Sequence, residues 1–185
     1  MLWYQTSDEV FCIHNVIDLV YMKDDMLNGN FTTFETLKYT ADLRLEKGLT
    51  RQQKNDIIDD VMLQMGISHA RNTIVGTPIK KGISGGERKR LCVAMELITG
   101  PKLLFLDEPT SGLDSVTALS LCTKLRALAK DCTIVNTIHQ PQAKIFRLFD
   151  KLILLKVGCL FWLPLCCSGG LLSCFVTHNY CVSHI

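Results

Sequence analysis

Not one Gly-Lys pair occurs in the chain, so it has no glycine-rich loop ending in Lys-Ser or Lys-Thr whose amides and lysine would cradle phosphates. An excess of one charge sign is also missing. The 20 Lys and Arg against 18 Asp and Glu leave +2, which gives no electrostatic ground for a nucleic-acid partner. Nine cysteines are present but lack metal-ligand spacing, and Cys92 and Cys122 fall on helical stripes where a reduced thiol serves as a small hydrophobe. That usage points to a cytosolic face rather than an oxidising compartment. The amino terminus has neither a basic start nor a long apolar core, so it does not read as a signal peptide. There is no internal repeat and no low-complexity linker. From Val157 to Ile185 no Asp, Glu, Lys or Arg occurs. Val157 to Val176 could span a bilayer by length and lack of charge, but Pro164, Ser168, Gly169 and Gly170 interrupt it. We therefore expect 156–185 to be a truncated or mis-spliced translation ahead of a membrane anchor.

What is present centres on LLFLDEPTSGLDS, Leu103 to Ser115. The unbroken apolar run Leu103 to Leu106 predicts a parallel strand covered on both faces, ending at Asp107. Ligands of open α/β sheets bind at that end, so Asp107 is placed to hold a hydrated Mg²⁺ that bridges phosphates. Glu108 precedes Pro109, which predicts an extended backbone aiming the carboxylate past the strand end, where it could polarise a water. A second β-branched run, Thr133 to Ile138, leads to His139, with Pro141 expected to hold Gln140 extended.

Between and before these strands the chain reads as helical. Ser84 and Glu87 form a capping box that starts a helix with the apolar stripe Leu91, Ala94, Met95 and Ile98, stopped by Gly100 and Pro101. Gly85 and Gly86 in its first turn would let a backbone approach a ligand closely, and the helix amino terminus is a ready anion site. Arg88, Lys89 and Arg90 read as surface charge. Asp114 is a plausible N-cap for a helix carrying Val116, Leu119, Leu125 and Leu128. Two further boxes, Thr32 with Glu35 and Thr50 with Gln53, precede the stripes Phe34, Leu37, Ala41, Leu45 and Ile57, Ile58, Val61, Met65, the second stopped by Gly66. From Leu103 the order becomes strand, helix, strand, helix, strand, ending at Leu152 to Leu155, a parallel α/β unit.

In this order, ISGGERKR, DEPTSGLDS and TIHQP resemble the signature, the Walker B and D-loop, and the histidine switch of an ATP-binding cassette (ABC) transporter's nucleotide-binding domain. The glutamate in the signature is most similar to the G subfamily of half transporters, the white and pleiotropic-drug-resistance type. The resemblance implies a P-loop NTPase-like core, a parallel sheet with flanking helices, over 101–155. It adds an α-helical subdomain over about 31–100 that docks against a transmembrane partner. The cofactors it implies are ATP and Mg²⁺. By the same resemblance Asp107 serves the metal, Glu108 polarises the attacking water, and His139 contacts the γ-phosphate. Ser84, Gly85, Gly86 and Glu87 face the nucleotide of a second nucleotide-binding domain, and Asp114 is the D-loop aspartate.

The departures are as informative. The amino-terminal third of such a domain, with its phosphate loop, is missing, so the expected reading is a domain truncated at both ends, with the resemblance over 22–155. YMKDD, Tyr21 to Asp25, resembles the Q-loop, but Lys23 stands where glutamine is expected and has no acceptor for a metal. We expect 1–21 to be of separate origin. The function expected from the resemblance is ATP-driven transport of a lipophilic substrate or lipid on the cytosolic face of a membrane. The alternative is a non-catalytic fragment that pairs with an intact ABC subunit. A soluble ABC ATPase of the translation or DNA-repair kind would call for a second cassette or a long coiled coil, and neither is seen.

Overall fold

The computed structural model describes side chains and backbone for residues 27–77 and 79–151, and backbone alone for several strands outside them. Those outer strands are β1 (Gln5–Thr6), β2 (Glu9–Val10) and β3 (Ile17–Val20) ahead of the described core. The Q-loop-like segment 21–25 lies outside the described residues.

The helical part forms as its capping boxes dictate. In α1 (Thr33–Arg44) the Thr32 hydroxyl accepts from the Glu35 amide while the Glu35 carboxylate reaches back to the Thr32 N–H. In α2 (Arg51–Met65) Thr50 and Gln53 do the same, and Gly66 stops the helix with φ of 64°, a left-handed turn that glycine adopts without strain. A 3-10 turn (Ser68–Ala70) leads on towards α3 (Gly85–Leu97). Leu37, Ala41, Ile58, Val61, Met65, Leu91, Ala94 and Ile98 are all buried in one core, with Phe34, Leu45, Ile57 and Met95 packed at its edge. These are the stripes the sequence predicts.

The core continues with β4 (Leu103–Asp107), α4 (Ser115–Leu128), β5 (Thr133–Thr137), a single turn α5 (Ala143–Phe146) and β6 (Lys151–Lys156). Strands β3, β4 and β5 are parallel neighbours, with Leu104 opposite Ile134 and Asp107 opposite Thr137. The expected parallel step from β5 to β6 is not a direct pairing. Between them lies β9 (Tyr180–His184), antiparallel to both, and the sheet also takes in β7 (Cys159–Pro164) and β8 (Leu172–Val176). At 159–164 and 172–176, then, the apolar tail is paired as strand. The rest of 157–176 lies outside the described residues, among which no helix is long and apolar enough to cross a membrane.

Four local expectations are corrected. Strand β4 is covered on one face only. Leu104 and Leu106 are buried with Ile134, Asn136 and Ile138, while Leu103 and Phe105, which point the other way, stay partly exposed. The stripe of α4 differs at its start: Leu125 is buried and Leu119 and Leu128 pack against the core as expected, with Ala118, Leu121 and Cys122 buried beside them, but Val116 is 76% exposed. At 100° per residue Val116 falls on the side opposite Ala118. The basic run is not a solvated face, because Lys89 is buried and Arg88 donates to the carbonyls of Val75 and Gly76 at 3.1 and 3.3 Å. Finally, Glu108 and Gln140 are not extended; their φ values are 45° and 46°. Proline disfavours the right-handed helical region for the residue before it, and a chain that must turn sharply off a strand end takes the left-handed one.

Cys92 and Cys122 are buried thiols outside any disulfide, as expected. Burial pushes the Cys122 thiol up to about 12, so it serves as a packing group.

Candidate nucleotide-facing site

Asp107, Glu108 and His139 come together at the carboxyl ends of two adjacent parallel strands. Asp107 is the last residue of β4 and pairs in register with Thr137, the last of β5, so Glu108 and His139 follow one and two residues beyond that rung. Thr137 ties the ends together. Its hydroxyl donates to Asp107 Oδ1 at 2.6 Å and accepts from the Glu108 backbone N–H at 2.7 Å. One β-branched side chain thus anchors one oxygen of the Asp107 carboxylate and sets the direction in which the chain leaves the strand at Glu108. Sequence reasoning missed Thr137, because its role depends on register between strands thirty residues apart. Ser111 then closes the turn by donating its N–H to the Glu108 carbonyl at 3.0 Å.

Asp107 and His139 are exposed and Glu108 is half-buried. No group of three or more His, Cys, Asp or Glu converges as a metal cage among the described residues. An exposed carboxylate such as Asp107, with one oxygen engaged by Thr137, could hold a hard cation of the Mg²⁺ kind, which takes one or two protein carboxylates and draws its other oxygens from phosphate and water. The oxygen not engaged by Thr137 is the one that would face it.

Ser84, Gly85, Gly86, Glu87 and Asp114 form a second group where α3 meets α4. Ser84 caps α3, its hydroxyl accepting from the Glu87 N–H at 3.2 Å, while Glu87 Oε2 accepts from the Ser84 N–H and hydroxyl at 2.7 Å each. Partial burial raises the Glu87 carboxyl, but hydrogen bonds from Ser84 and from the His69 ring outweigh it and hold the group below the usual carboxylate range. Both Glu87 oxygens are occupied within the chain, since Oε1 meets His69 Nε2 at 2.5 Å.

The two glycines divide. Gly85 is exposed, and a Cβ there would meet nothing within 4 Å. Gly86 is buried, and a Cβ there would come within 2.2 Å of Thr117 Cγ2. Its lack of a side chain therefore serves α3–α4 packing, whereas the sequence suggested an approach to a ligand for both. Asp114 caps α4 as expected, accepting from the Val116 and Thr117 amides at 3.1 and 3.2 Å. Hydrogen bonding from Thr117, with that from Val116, holds its carboxyl low.

A parallel sheet flanked by helices, with carboxylates at its strand ends and a capped glycine turn at the start of α3, defines the ATP-binding cassette core of the P-loop NTPase-like class. The fold is similar to that of MJ1267, an ATP-binding cassette of an ABC transporter solved in its ADP conformation, with a TM-score of 0.58 at 19% identity over 75% of this chain and 55% of that one. It is also similar to the dimeric post-hydrolysis structure of the cassette MJ0796 bound to ADP and Pi, with a TM-score of 0.59 at 20% identity over 75% and 58%. A family model described as ABC transporter matches residues 12–111, beginning ten residues ahead of Met22. The chain belongs to the ABC transporter family, as a nucleotide-binding domain of its G subfamily. It is 47% identical over 138 residues to ABC transporter G family member 21 of Arabidopsis thaliana, covering 74% of this chain and 20% of that protein. To the broad substrate specificity ATP-binding cassette transporter ABCG2 of Rattus norvegicus it is 46% identical, covering 74% and 21%. The chain thus spans about a fifth of the length of these curated relatives.

Proposed function

We propose that this domain binds ATP with Mg²⁺ and hydrolyses it in the closed pair it forms with a second nucleotide-binding domain, driving transport of a lipophilic substrate or lipid. The transmembrane domain of the transporter is its other partner, and the cytosolic face of the membrane its place. The observation that carries the reading is the Thr137 bridge, which orders Asp107 and Glu108 side by side next to His139.

Each residue has a separable task. Asp107 offers its outward oxygen to the metal, with the inner one held by Thr137. Glu108, aimed by its left-handed backbone, accepts a proton from the attacking water. His139, two residues past the same rung, donates to the phosphate being transferred. Ser84 and Gly85 present the open first turn of α3 to the partner's nucleotide, and Gly86 and Glu87 hold that turn in shape. Asp114 fixes the start of α4 beside it. Magnesium, when bound with ATP, neutralises charge on the phosphate oxygens.

The test is phosphate release by an intact transporter in which this domain carries a phosphate loop of its own. Glu108→Gln should lower turnover on the order of 10² to 10⁴-fold while ATP binding persists, the range general-base assistance supplies. Asp107→Asn should weaken Mg²⁺-ATP binding instead. Full-speed hydrolysis by the first variant, or unchanged Mg²⁺-ATP affinity in the second, would contradict the assigned roles. A second reading, a non-catalytic partner of an intact subunit, is favoured by the lack of a phosphate loop in these residues. It predicts pairing without any dependence of turnover on Glu108.

A further inference from the structure

His69 stands outside every motif, yet it touches the carboxylate on which the first turn of α3 is built. The 3-10 turn that carries it is rigid, because Ile67 and Ala70 are buried and the amides of Ile67, Ala70 and Arg71 donate to Met62, Ile67 and Ser68 carbonyls. From that base the ring places Nε2 2.5 Å from Glu87 Oε1. The other Glu87 oxygen takes both Ser84 donors at 2.7 Å. A carboxylate gripped at one oxygen can still rock about its terminal torsion, whereas one gripped at both has its plane fixed. The other charged groups nearby are committed elsewhere. Arg71 pairs with Asp59 and lies 3.8 Å over the Phe34 ring, and Arg88 serves the Val75 and Gly76 carbonyls.

We propose that His69 is a positioning residue for the Ser84–Glu87 turn, locking the Glu87 carboxylate onto the Ser84 cap through its Nε2–H and so tying the end of α2 to the start of α3. Any bearing on the partner's nucleotide rests on the function proposed above. The brace itself is testable in this chain with no nucleotide present.

The full chain, labelled with ¹³C and ¹⁵N, is titrated while the Ser84 amide and Glu87 carboxyl shifts are followed. The Ser84 amide should move with the Glu87 carboxyl. In His69→Ala the Glu87 midpoint rises and exchange of the Glu87 amide quickens about fivefold, the factor a lost capping partner brings. His69→Arg, a permanent donor, should keep the low midpoint and slow exchange, which a generally destabilised turn would not. A Glu87 midpoint unmoved in His69→Ala, or a raised midpoint with quickened exchange in His69→Arg, overturns the proposal. The second criterion stands even if the alanine variant does not fold. An intact brace alongside a fully active Glu108→Gln variant would count against the proposed function alone, and the reverse outcome would remove only the brace.

Discussion

At the scale of single residues, Thr117 shows how much one side chain can join. Its methyl occupies the space a Gly86 Cβ would need, and its amide caps on Asp114, so the start of α3 and the start of α4 share one packing point. Gly86→Ala should destabilise the chain by about 1–3 kcal/mol through overpacking, and adding Thr117→Ala should recover most of it by making room. Thermal or urea unfolding of Gly86→Ala, Thr117→Ala and the double variant measures this, and a double variant no better than Gly86→Ala would rule out the contact as the cause. The capping carboxylates make a pH prediction. Glu87, Glu35 and Asp114 are all lowered in the folded chain from ordinary values of 4.5, 4.5 and 3.8. A lowered folded value means the unfolded chain takes up protons first, so the stabilisation is complete above about pH 4.5 and is lost as pH falls through the lowered folded values. Urea midpoints should hold from neutral pH down to about 5 and fall below that. In Ser84→Ala, which takes the hydroxyl donor from Glu87 and leaves the backbone N–H and His69, the fall should be shallower.

At the scale of elements, the helices were the most legible part of the sequence and the strand ends the least. A capping box is a local interaction over three residues, and all three boxes form as read at Thr32, Thr50 and Ser84. Thr50→Ala should cost α2 about 1 kcal/mol, read as a drop in the thermal midpoint, and Thr50→Ser almost nothing. The exposure of Val116 was not legible, because Val116 and Ala118 are both apolar and only the contacts of the folded helix decide which turns inward. The left-handed turns at Glu108 and Gln140 were missed for a different reason. Proline rules out one backbone region for its predecessor but does not choose between the two that remain. The placement of Asp107, Glu108 and His139 at strand ends could be read because each lies at or just past the end of a strand-forming run; Thr137 and His69 could not, because their partners are thirty and eighteen residues away in sequence.

At the scale of the whole molecule, the sheet is covered on the face of Leu104, Leu106, Ile134 and Ile138, and half-open on that of Leu103, Phe105 and Val135. These 185 residues, purified on their own, should release no phosphate from ATP above background despite Glu108 and His139. Phosphoryl transfer depends on seating the phosphates, and no loop in this sequence supplies that seat. Phosphate release by the chain alone that disappears in Glu108→Gln would refute this.

The paired left-handed residues at the ends of β4 and β5 have a consequence for how such a domain changes over generations. A side chain with a Cβ held at φ near 45° costs folding energy on the order of 1–3 kcal/mol, which glycine or asparagine would relieve. Selection for folding alone therefore pushes positions 108 and 140 away from glutamate and glutamine, and at position 108 the role proposed for the carboxylate in turnover opposes that push. In a lineage released from that second pressure, position 108 should drift early and in a known direction, while the capped helices around it stay as they are.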